Sequence, residues 1–474
     1  MSDTLSLSLY HTDDIILIYT ALKQLEKRSG YHFNKMKRAL QELLENTLEH
    51  AYDDKKEDEI AIKVTFSLQE CQLQVTLQEF GKPFDFSPYL SEAIDGSSDH
   101  SKGFYHIYDL VDTFYFANLG KEGKRFTLIS QLKNCSLTSP EQPSENKNTL
   151  HILDDITVRT FQEEDAEAIS QLIYKNYDYT YYKPFFYTPK SVKSANLQDT
   201  IHSILALHHQ KIIGHFALVP RINTHCCEVA VAVVHPNYKS MGVMGRMFDT
   251  LINEATKRNY RSIFGEAIML HPYSQKANLK KGMKESALVL GLVPNDIEIE
   301  HNLRLPKRSG VLVGYRLFED QHYALNIPSQ YKQWIDKTYQ QFELNFENRT
   351  DLPQLKTYDV HTDKELNLIA IEINMFMGDE AFTTLLETIL LEQSDMIYVD
   401  INLHRIKEMD TLIDILNHHG FFYAGVMFDF YHDEDYLRLQ KVCTHNIELE
   451  HLVTYSEFGK DLLAFVREDK KRIF

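Results

Sequence analysis

Residues 231–251, VAVVHPNYKSMGVMGRMFDTL, combine glycines, basic side chains and a helix start in an order that suits a multiply charged anion. The pattern predicts an apolar strand, a break at a His-Pro pair, a loop with Gly242 and an amphipathic helix. The first N–H groups of such a helix have no partner within it, and the helix dipole favours negative charge there. Lys239 and Arg246 add positive charge. The segment therefore predicts a phosphate-binding loop.

This loop resembles the acetyl-CoA loop of GNAT-superfamily N-acetyltransferases, whose pattern is Gln/Arg-x-x-Gly-x-Gly/Ala. Lys239 stands at the basic position and Gly242 at the first glycine, whereas Met244 takes the second small position and Gly245 follows it. The resemblance implies that acetyl-CoA is bound by the strand, the loop and a later helix. The implied residues are Val233, Val234, Lys239, Met241, Gly242, Val243, Met244, Gly245, Arg246 and Asn278.

Direct acetyl transfer needs a group that removes a proton from the amine and surroundings that accept the leaving thiolate. Glu228 precedes the loop on its strand, and Glu266 lies near the end of the next predicted strand, so each is a candidate base. Either could equally be an exposed strand residue or an ion-pair partner. The tyrosine that the family often places beside the thiolate falls at Asn278, and Tyr273 is the nearby substitute.

A second group of polar residues lies in the predicted helix over residues 33–52, FNKMKRALQELLENTLEHAY. Glu42, Asn46 and His50 are four residues apart and share one side of that helix, opposite an apolar stripe. A solvated polar face would have the same spacing. The run Glu79-Phe80-Gly81 and a later segment around Gly103 follow in order along the chain.

That order resembles the ATP-binding domain of anti-sigma-factor serine kinases, within the Bergerat-fold (GHKL) ATPases, whose helix carries Glu-x-x-x-Asn-x-x-x-His-Gly/Ala-Tyr. The resemblance implies that Asn46 coordinates Mg²⁺ and that Glu42 acts as a general base, roles that suit an amide oxygen and a carboxylate. Glu79 replaces the family's adenine-reading aspartate, and Tyr105 replaces a glycine of the later motif. The implied ATP-binding residues are Glu42, Asn46, His50, Glu79, Gly81 and Gly103.

Length and composition limit the classes of protein. A chain of 474 residues is long enough for about three domains. A net charge of −18 disfavours nucleic acid and anionic membranes as partners. The five cysteines are scattered without metal-ligand spacing, and no apolar run reaches the roughly 20 residues of a membrane span, so we expect a cytoplasmic protein without disulfides.

We predict an α/β (α+β) protein with a Bergerat-type α/β sandwich followed by two GNAT-like mixed-sheet domains. The predicted boundaries are 1–133 for the ATP-binding domain, 134–151 for a polar linker, 152–300 for the acetyltransferase domain and 301–474 for a second GNAT-like domain. The last domain resembles the back half of a GNAT fold. Its loop over residues 374–380 has one glycine, no basic residue and two carboxylates, so we expect it not to bind CoA. It would support the fold, form a homodimer or shape the substrate mouth.

Three functions remain open from the sequence. The first is acetyl transfer from acetyl-CoA to a primary amine of a protein lysine, a peptide or a small molecule, regulated by ATP in the first domain. The second is a partner-switching regulator resembling a serine-kinase anti-sigma factor. Its N-terminal domain would bind an anti-anti-sigma-like or other signalling protein, with or without phosphorylating a serine of that protein, while the GNAT-like domains sense acyl-CoA without catalysis. The third is a scaffold in which both ligand sites are inactive.

Overall fold

The computed structural model describes residues 3–10, 14–29, 31–52, 60–69, 72–86, 89, 103–131, 155–239, 241–295, 297–300, 303–347 and 354–473. The chain divides into two compact units. The N-terminal unit comprises Met1–Asp155 with Gln162–Ser194, and the C-terminal unit comprises Ile156–Phe161 with Ala195–Phe474. The predicted linker, 134–151, lies outside the described residues.

In the described part of the N-terminal unit, antiparallel pairing joins five strands in the order β1-β2-β3-β5-β4. The strands are β1 (Asp3–Leu9), β2 (Ile62–Gln69), β3 (Gln72–Glu79), β4 (Thr113–Asn118) and β5 (Lys124–Gln131). Three helices contribute to the same core: α1 (Ile15–Ser29), α2 (Asn34–Asn46) and α3 (Gly103–Leu110).

The predicted helix over 33–52 is α2 followed by a π-helical turn, Thr47–Ala51. Its apolar stripe is inside, because Leu40, Leu43 and Leu44 are fully buried. The π-helical turn shifts the residues after Asn46 relative to a continuous α-helix, and such turns often occur at functional sites.

Two further helices, α4 (Ala166–Tyr177) and α5 (Pro189–Leu197), follow the strand β6 (Ile156–Thr160). Most of this stretch belongs to the N-terminal unit. Tyr174 donates a hydrogen bond to the carbonyl oxygen of Phe80 at 3.0 Å, and Tyr179 donates to that of Gly81 at 2.7 Å. The tyrosine-rich segment after α4 therefore packs as core of this unit.

The described part of the C-terminal unit contains a twelve-stranded sheet in the order β17-β18-β19-β21-β20-β11-β14-β10-β9-β8-β7-β6. Its front half consists of β6 with β7 (His202–His208), β8 (Lys211–Pro220), β9 (Cys226–Val234), β10 (Ser262–Ile268), β11 (Lys284–Val293) and β14 (Ser309–Leu317). Its back half consists of β17 (Tyr358–Asp363), β18 (Leu368–Ile373), β19 (Met396–Asn402), β20 (Phe422–Tyr431) and β21 (Glu434–Val442).

Helices connect these strands and cover the sheet. They are α6 (Val243–Lys257), α7 (Tyr273–Lys280), α8 (Lys332–Tyr339), α9 (Asp379–Leu390), α10 (Met409–His418) and α11 (Glu457–Ile473). Two small ladders are formed by β12 (Glu298–Glu300) with β13 (Leu303–Arg304) and by β15 (Gln321–Tyr323) with β16 (Asn345–Glu347). Among the described residues no helix is both long and apolar enough to cross a membrane.

The back half repeats the order of five of the strands of the front half. β17-β18-β19-β21-β20 has the same sequence of antiparallel, parallel, antiparallel and antiparallel pairs as β8-β9-β10-β14-β11. The halves meet where Ala287 of β11 pairs with Gly425 of β20. A Cβ on Gly425 would lie 2.3 Å from the Cα of Ala287, so only glycine permits this approach.

The α/β class with mixed sheets is thus confirmed. The predicted second and third domains share one sheet. Strand β11 lies before the predicted boundary at residue 300, and it pairs with β14 and β20, which lie after it. The division into three domains stays a prediction, and the structure divides the chain into two compact units instead.

Candidate functional site

The parallel strands β9 and β10 separate partway along their length. They pair from Cys226/Ser262 to Val229/Gly265, and their pairing ends there although β9 continues to Val234 and β10 to Ile268. The backbone edge of residues 230–234 that faces β10 therefore has no strand partner within the described sheet. Such an edge can hydrogen-bond the amide groups of an extended ligand.

A β-bulge lies at the same place. On β8, His215 pairs with Val233 and Ala217 with Ala230, so β9 carries one extra residue between these pairs. Val231 has a φ of 56°, a conformation that is an outlier for a β-branched residue. Bulges bend a strand and re-aim its groups, which accounts for the separation of β9 from β10.

The loop after β9 leads to the N-terminus of α6. Gly242 is its N-cap, with a φ of 74° and a ψ of 7°, and apart from its chain neighbours no described residue has an atom within 4 Å of a Cβ placed there. The N–H of Arg246 donates to the carbonyl oxygen of Gly242 at 3.3 Å. The N–H groups of Val243, Met244 and Gly245 precede that bond and have no acceptor within the helix. Together they form an open anion cradle.

The predicted cofactor residues lie around this cradle and the strand edge. Val233 and Val234 are in β9, and Val243 is buried beneath the first turn of α6, whereas Lys239 and Met241 are exposed in the loop. Gly242, Met244, Gly245 and Arg246 belong to the cradle. The exposed Arg246 also donates to the carbonyl oxygen of Ile156 at 3.3 Å.

The two candidate bases lie on the same face of the sheet, because Glu228 pairs with Phe264 and Glu266 is two residues further along β10. Glu228 is within the paired part, and Glu266 comes directly after the last pair. Both side chains are half-buried. Because the β9–β10 pairing ends directly before Glu266, this residue is the candidate nearer to the opening. Burial raises the pKa of Tyr398, and the negative charge of Glu266 raises it further.

The two candidates for the thiolate side lie in different surroundings. Asn278, on α7, has its Nδ2 3.1 Å from the position of a Cβ on Gly265, so it lies against the end of the β9–β10 pairing. Tyr273 begins α7 and is 71% exposed, with its ring centroid 4.9 Å from that of His271. Asn278 therefore lies beside the place where the strands part, and Tyr273 faces solvent.

Residues 166–276 match the acetyltransferase (GNAT) family. They form a GNAT domain. The match covers α4, α5, the strands β7 to β10 and the cradle of α6. No curated protein matches the chain.

Solved structures of N-acetyltransferases resemble part of the chain. An N-acetyltransferase from Staphylococcus aureus Mu50 is 13% identical over 35% of this chain and 99% of its own, with a TM-score of 0.29. The ribosomal-protein-S5-alanine acetyltransferase from Vibrio fischeri is 16% identical over 36% of this chain and 98% of its own, also with a TM-score of 0.29. A protein from Salmonella typhimurium, solved with its cofactor acetyl-CoA, is 12% identical over 36% of this chain and 96% of its own, with a TM-score of 0.30. Likenesses at this level do not assign a substrate.

The back half differs from the GNAT domain at the corresponding strands. β18 and β19 stay paired from Leu368/Met396 to Ile373/Ile401, along the whole length of β18, so no edge opens between them. The helix after β18 begins beyond Gly378 with Asp379 and Glu380 in its first turn. Two carboxylates at this position would repel a pyrophosphate.

A buried polar network occupies the ends of β18, β19 and β21. The amide of Asn402 donates to Asn374 at 3.0 Å and to Glu434 at 2.7 Å, and the hydroxyl of Tyr436 donates to Asn374 at 2.7 Å. Arg405 forms a bidentate pair with Glu434, with both distances 2.6 Å. These bonds hold together the ends of β18 and β19, whose counterparts in the GNAT domain, β9 and β10, separate.

The predicted ATP-binding residues are in the N-terminal unit, where Glu42 contacts a histidine. The Nδ1 atom of His106, on α3, lies 2.5 Å from Oε1 of Glu42, and the His106 side chain is only 4% exposed. Within the part of the chain that the structure describes, Oε2 of Glu42 and Nε2 of His106 have no hydrogen-bond partner. Asn46 is half-buried one turn later, and His50 is exposed beyond the start of the π-helical turn.

Glu79 is engaged in a buried ion pair. Its Oε1 lies 2.9 Å from Nζ of Lys124, and Oε2 accepts from the N–H of Gly81 at 2.5 Å. Burial lowers the pKa of Lys124, and the charge of Glu79 opposes that shift. An adenine amino group could reach this carboxylate only in competition with Lys124. Gly81 itself is tightly packed, because a Cβ there would lie 2.5 Å from the Cβ of Ala51.

Gly103 begins α3, and an aromatic cluster follows it. The ring of Phe104 stacks on those of Phe84 and Phe126, with centroids 5.7 Å away in each case. Sequence reasoning did not single out His106, Lys124 or the buried His215. For His106 and Lys124 no local pattern could have done so, because each partner is 40 or more residues away in the chain.

Proposed function

We propose that the chain transfers an acetyl group from acetyl-CoA to a primary amine. The observation that carries this proposal is the separation of β9 from β10 beside a helix start whose first three N–H groups have no acceptor within the helix. A pantetheine chain fits along a strand edge of this kind, and a pyrophosphate fits an open helix N-terminus. Among the described residues beyond its chain neighbours, none has an atom within 4 Å of a Cβ on Gly242, which leaves room for the phosphates.

In this proposal the protein mainly positions the reactants. Lys239 and Arg246 neutralise phosphate charge, and the N–H groups of residues 243–245 hydrogen-bond phosphate oxygens. Attack of the amine nitrogen on the thioester carbonyl carbon of acetyl-CoA would form the amide bond and break the C–S bond, and the leaving CoA thiolate would take up the proton that the attacking nitrogen then loses. Glu266, or Glu228 through a water molecule, removes the ammonium proton so that the amine can react. Holding the two reactants in contact would supply much of the rate enhancement.

The acceptor is proposed from charge alone. The net charge of −18 favours a cationic acceptor such as a protein lysine or a small polyamine-like molecule over an anionic one. The repeated back half would then support the GNAT domain through the shared sheet.

Acetyl-CoA should stabilise the purified protein. A ligand at 100 times its Kd stabilises the folded state by about 2.7 kcal/mol, which shifts Tm by several degrees. A thermal-shift titration with acetyl-CoA, compared with buffer, measures this effect, and the absence of any shift at millimolar acetyl-CoA would contradict the proposal. With an acceptor identified, the pH–rate profiles of Glu228→Gln and Glu266→Gln identify the base.

A second candidate function is acyl-CoA sensing without catalysis, in a regulator whose N-terminal unit binds ATP or a signalling protein. The 71% exposure of Tyr273 and an asparagine at position 278 favour it, because neither arrangement supplies a proton to a thiolate. It would be supported if acetyl-CoA bound tightly and no amine were acetylated.

For the N-terminal unit we propose weak Mg–ATP binding that depends on Asn46. Because Glu79 is already paired with Lys124, ATP should give a smaller thermal shift than acetyl-CoA does. Asn46→Ala should remove that shift and leave acetyl-CoA binding intact, whereas the exposed Gln41→Ala on the same helix should change neither. Unchanged Mg–ATP binding in Asn46→Ala would contradict the assignment of the metal-binding residue.

A further inference from the structure

The bulge in β9 holds a residue in a conformation that its side chain disfavours. Val231 has a φ of 56°, and its side chain is buried. Residues in such regions persist only when the surrounding structure imposes the conformation, and they cluster where function requires it. The bulge is also the point beyond which β9 leaves β10. A contact that stabilises the backbone here therefore acts directly on the opening.

That contact is made by His215 on the neighbouring strand β8. Its Nδ1 lies 3.0 Å from the carbonyl oxygen of Val231, and its Nε2 lies 3.0 Å from Oγ of Ser203. A carbonyl oxygen only accepts, so Nδ1 carries the proton, and the Ser203 hydroxyl donates to Nε2. His215 is fully buried, and burial lowers its pKa to about 4, so the ring is neutral near pH 7.

We propose that His215 is a positioning residue for acyl-CoA: its Nδ1–H holds the Val231 carbonyl and so fixes the bulge that separates β9 from β10. This inference rests on the proposed acetyl-CoA site. Without that bond a buried carbonyl loses its donor, and the β8–β9 register can slip by the one extra residue. Such a slip would exchange the two edges of residues 230–234, so that the backbone groups that face a bound pantetheine would face β8 instead.

Ser203 has a supporting role in the same arrangement. Its hydroxyl donates to Nε2 and so selects the tautomer in which Nδ1 carries the proton. The backbone N–H of Ser203 is in turn held by Oδ1 of Asn196 at 3.0 Å, which fixes the strand at this point.

The test compares two amides at position 215. In His215→Asn the side-chain amide occupies the place of Nδ1 and can still donate to Val231, whereas in His215→Gln it reaches the place of Nε2 and cannot. We expect the Kd for acetyl-CoA, measured by calorimetry, to stay within about threefold in His215→Asn and to rise about tenfold or more in His215→Gln. The unfolding temperature should fall by similar amounts in both.

A second substitution separates positioning from general destabilisation. Glycine adopts a positive φ without strain, so Val231→Gly should restore acetyl-CoA affinity to His215→Gln although it removes a buried side chain and lowers Tm further. Ser203→Ala should fold normally and weaken binding about threefold, because the imidazole can then move its proton to Nε2.

Equal affinities in the two His215 variants, or no rescue by Val231→Gly, would overturn the inference. If both His215 variants failed to fold, an unchanged Kd in Ser203→Ala would overturn it. A wild-type protein that does not bind acetyl-CoA would instead overturn the proposed function on which the inference rests.

Discussion

Replacing Gly242 by glutamate should abolish acetyl-CoA binding while the C-terminal unit stays folded. A Cβ at this position lies more than 4 Å from the atoms of the described residues other than its chain neighbours, so the new side chain can extend into the open cradle. Its carboxylate would lie beside the N–H groups of residues 243–245 and compete with phosphate for them. Because Gly242 has a φ of 74°, the substitution also costs about 1–2 kcal/mol of stability.

The matched control is Gly378→Glu. Gly378 is the N-cap of α9 in the back half, as Gly242 is of α6, and a Cβ there is likewise more than 4 Å from every described residue except its chain neighbours. Its φ of 89° and ψ of 156° are essentially restricted to glycine, so glutamate is at least as strained there as at Gly242. If strain alone abolished binding, Gly378→Glu would do so too. We expect it to bind acetyl-CoA as the wild type does.

Calorimetric titration of both variants with acetyl-CoA decides the matter. Gly242→Asn adds a third case, because asparagine tolerates this backbone conformation and brings no charge. Its Kd should rise less than that of Gly242→Glu. Wild-type affinity in Gly242→Glu would show that the cradle of α6 does not hold the phosphates, and loss of binding in Gly378→Glu would show that the back half takes part.

The elements around the cradle could be predicted from sequence because their signals are local. An apolar run, a His-Pro break, a glycine and a helical stripe all occur within residues 231–251, and the structure has β9, the loop and α6 there. The back-half elements were predictable for the same reason. The loop at Gly378 predicts that the back half does not bind CoA. This stays a prediction, and the pairing of the described strands β18 and β19 along the whole length of β18 agrees with it.

The bulge in β9 and the histidine that contacts it could not be predicted from the sequence. His215 and Val231 lie in ordinary apolar strand patterns, and their contact exists only because β8 and β9 pair with a one-residue shift. Register is set by the packing of whole strands, which no local pattern specifies. Likewise, the motif that places Glu79 at the position of an adenine-reading aspartate is visible in a short stretch of sequence. The pairing of Glu79 with Lys124 depends instead on the register of β3 and β5.

Lys124→Met should be the most destabilising of the substitutions considered for the N-terminal unit. The Lys124 side chain is fully buried and that of Glu79 is 1% exposed, so the change leaves a buried carboxylate without its counter-charge. The carbonyl oxygens of Gly81 and Lys82, which accept from Lys124 at 2.7 and 2.6 Å, also lose their donor. Removing one partner of a buried ion pair typically costs about 3–5 kcal/mol.

Hydrogen exchange measured by mass spectrometry can locate this loss. A destabilisation of about 3 kcal/mol corresponds to more than 100-fold faster exchange, which we expect in β3 and β5. The single tryptophan, Trp334, belongs to the C-terminal unit, so its fluorescence gives a separate measure of that unit.

Two further variants test the cause of the loss. Lys121→Met makes the same chemical change at an exposed position and should alter stability by no more than about 0.5 kcal/mol. Adding Glu79→Gln to Lys124→Met removes the unpaired charge and should recover part of the stability, because the neutral amide is cheaper to bury than a carboxylate. If Lys124→Met left exchange in β3 and β5 unchanged, the pair would not stabilise the unit.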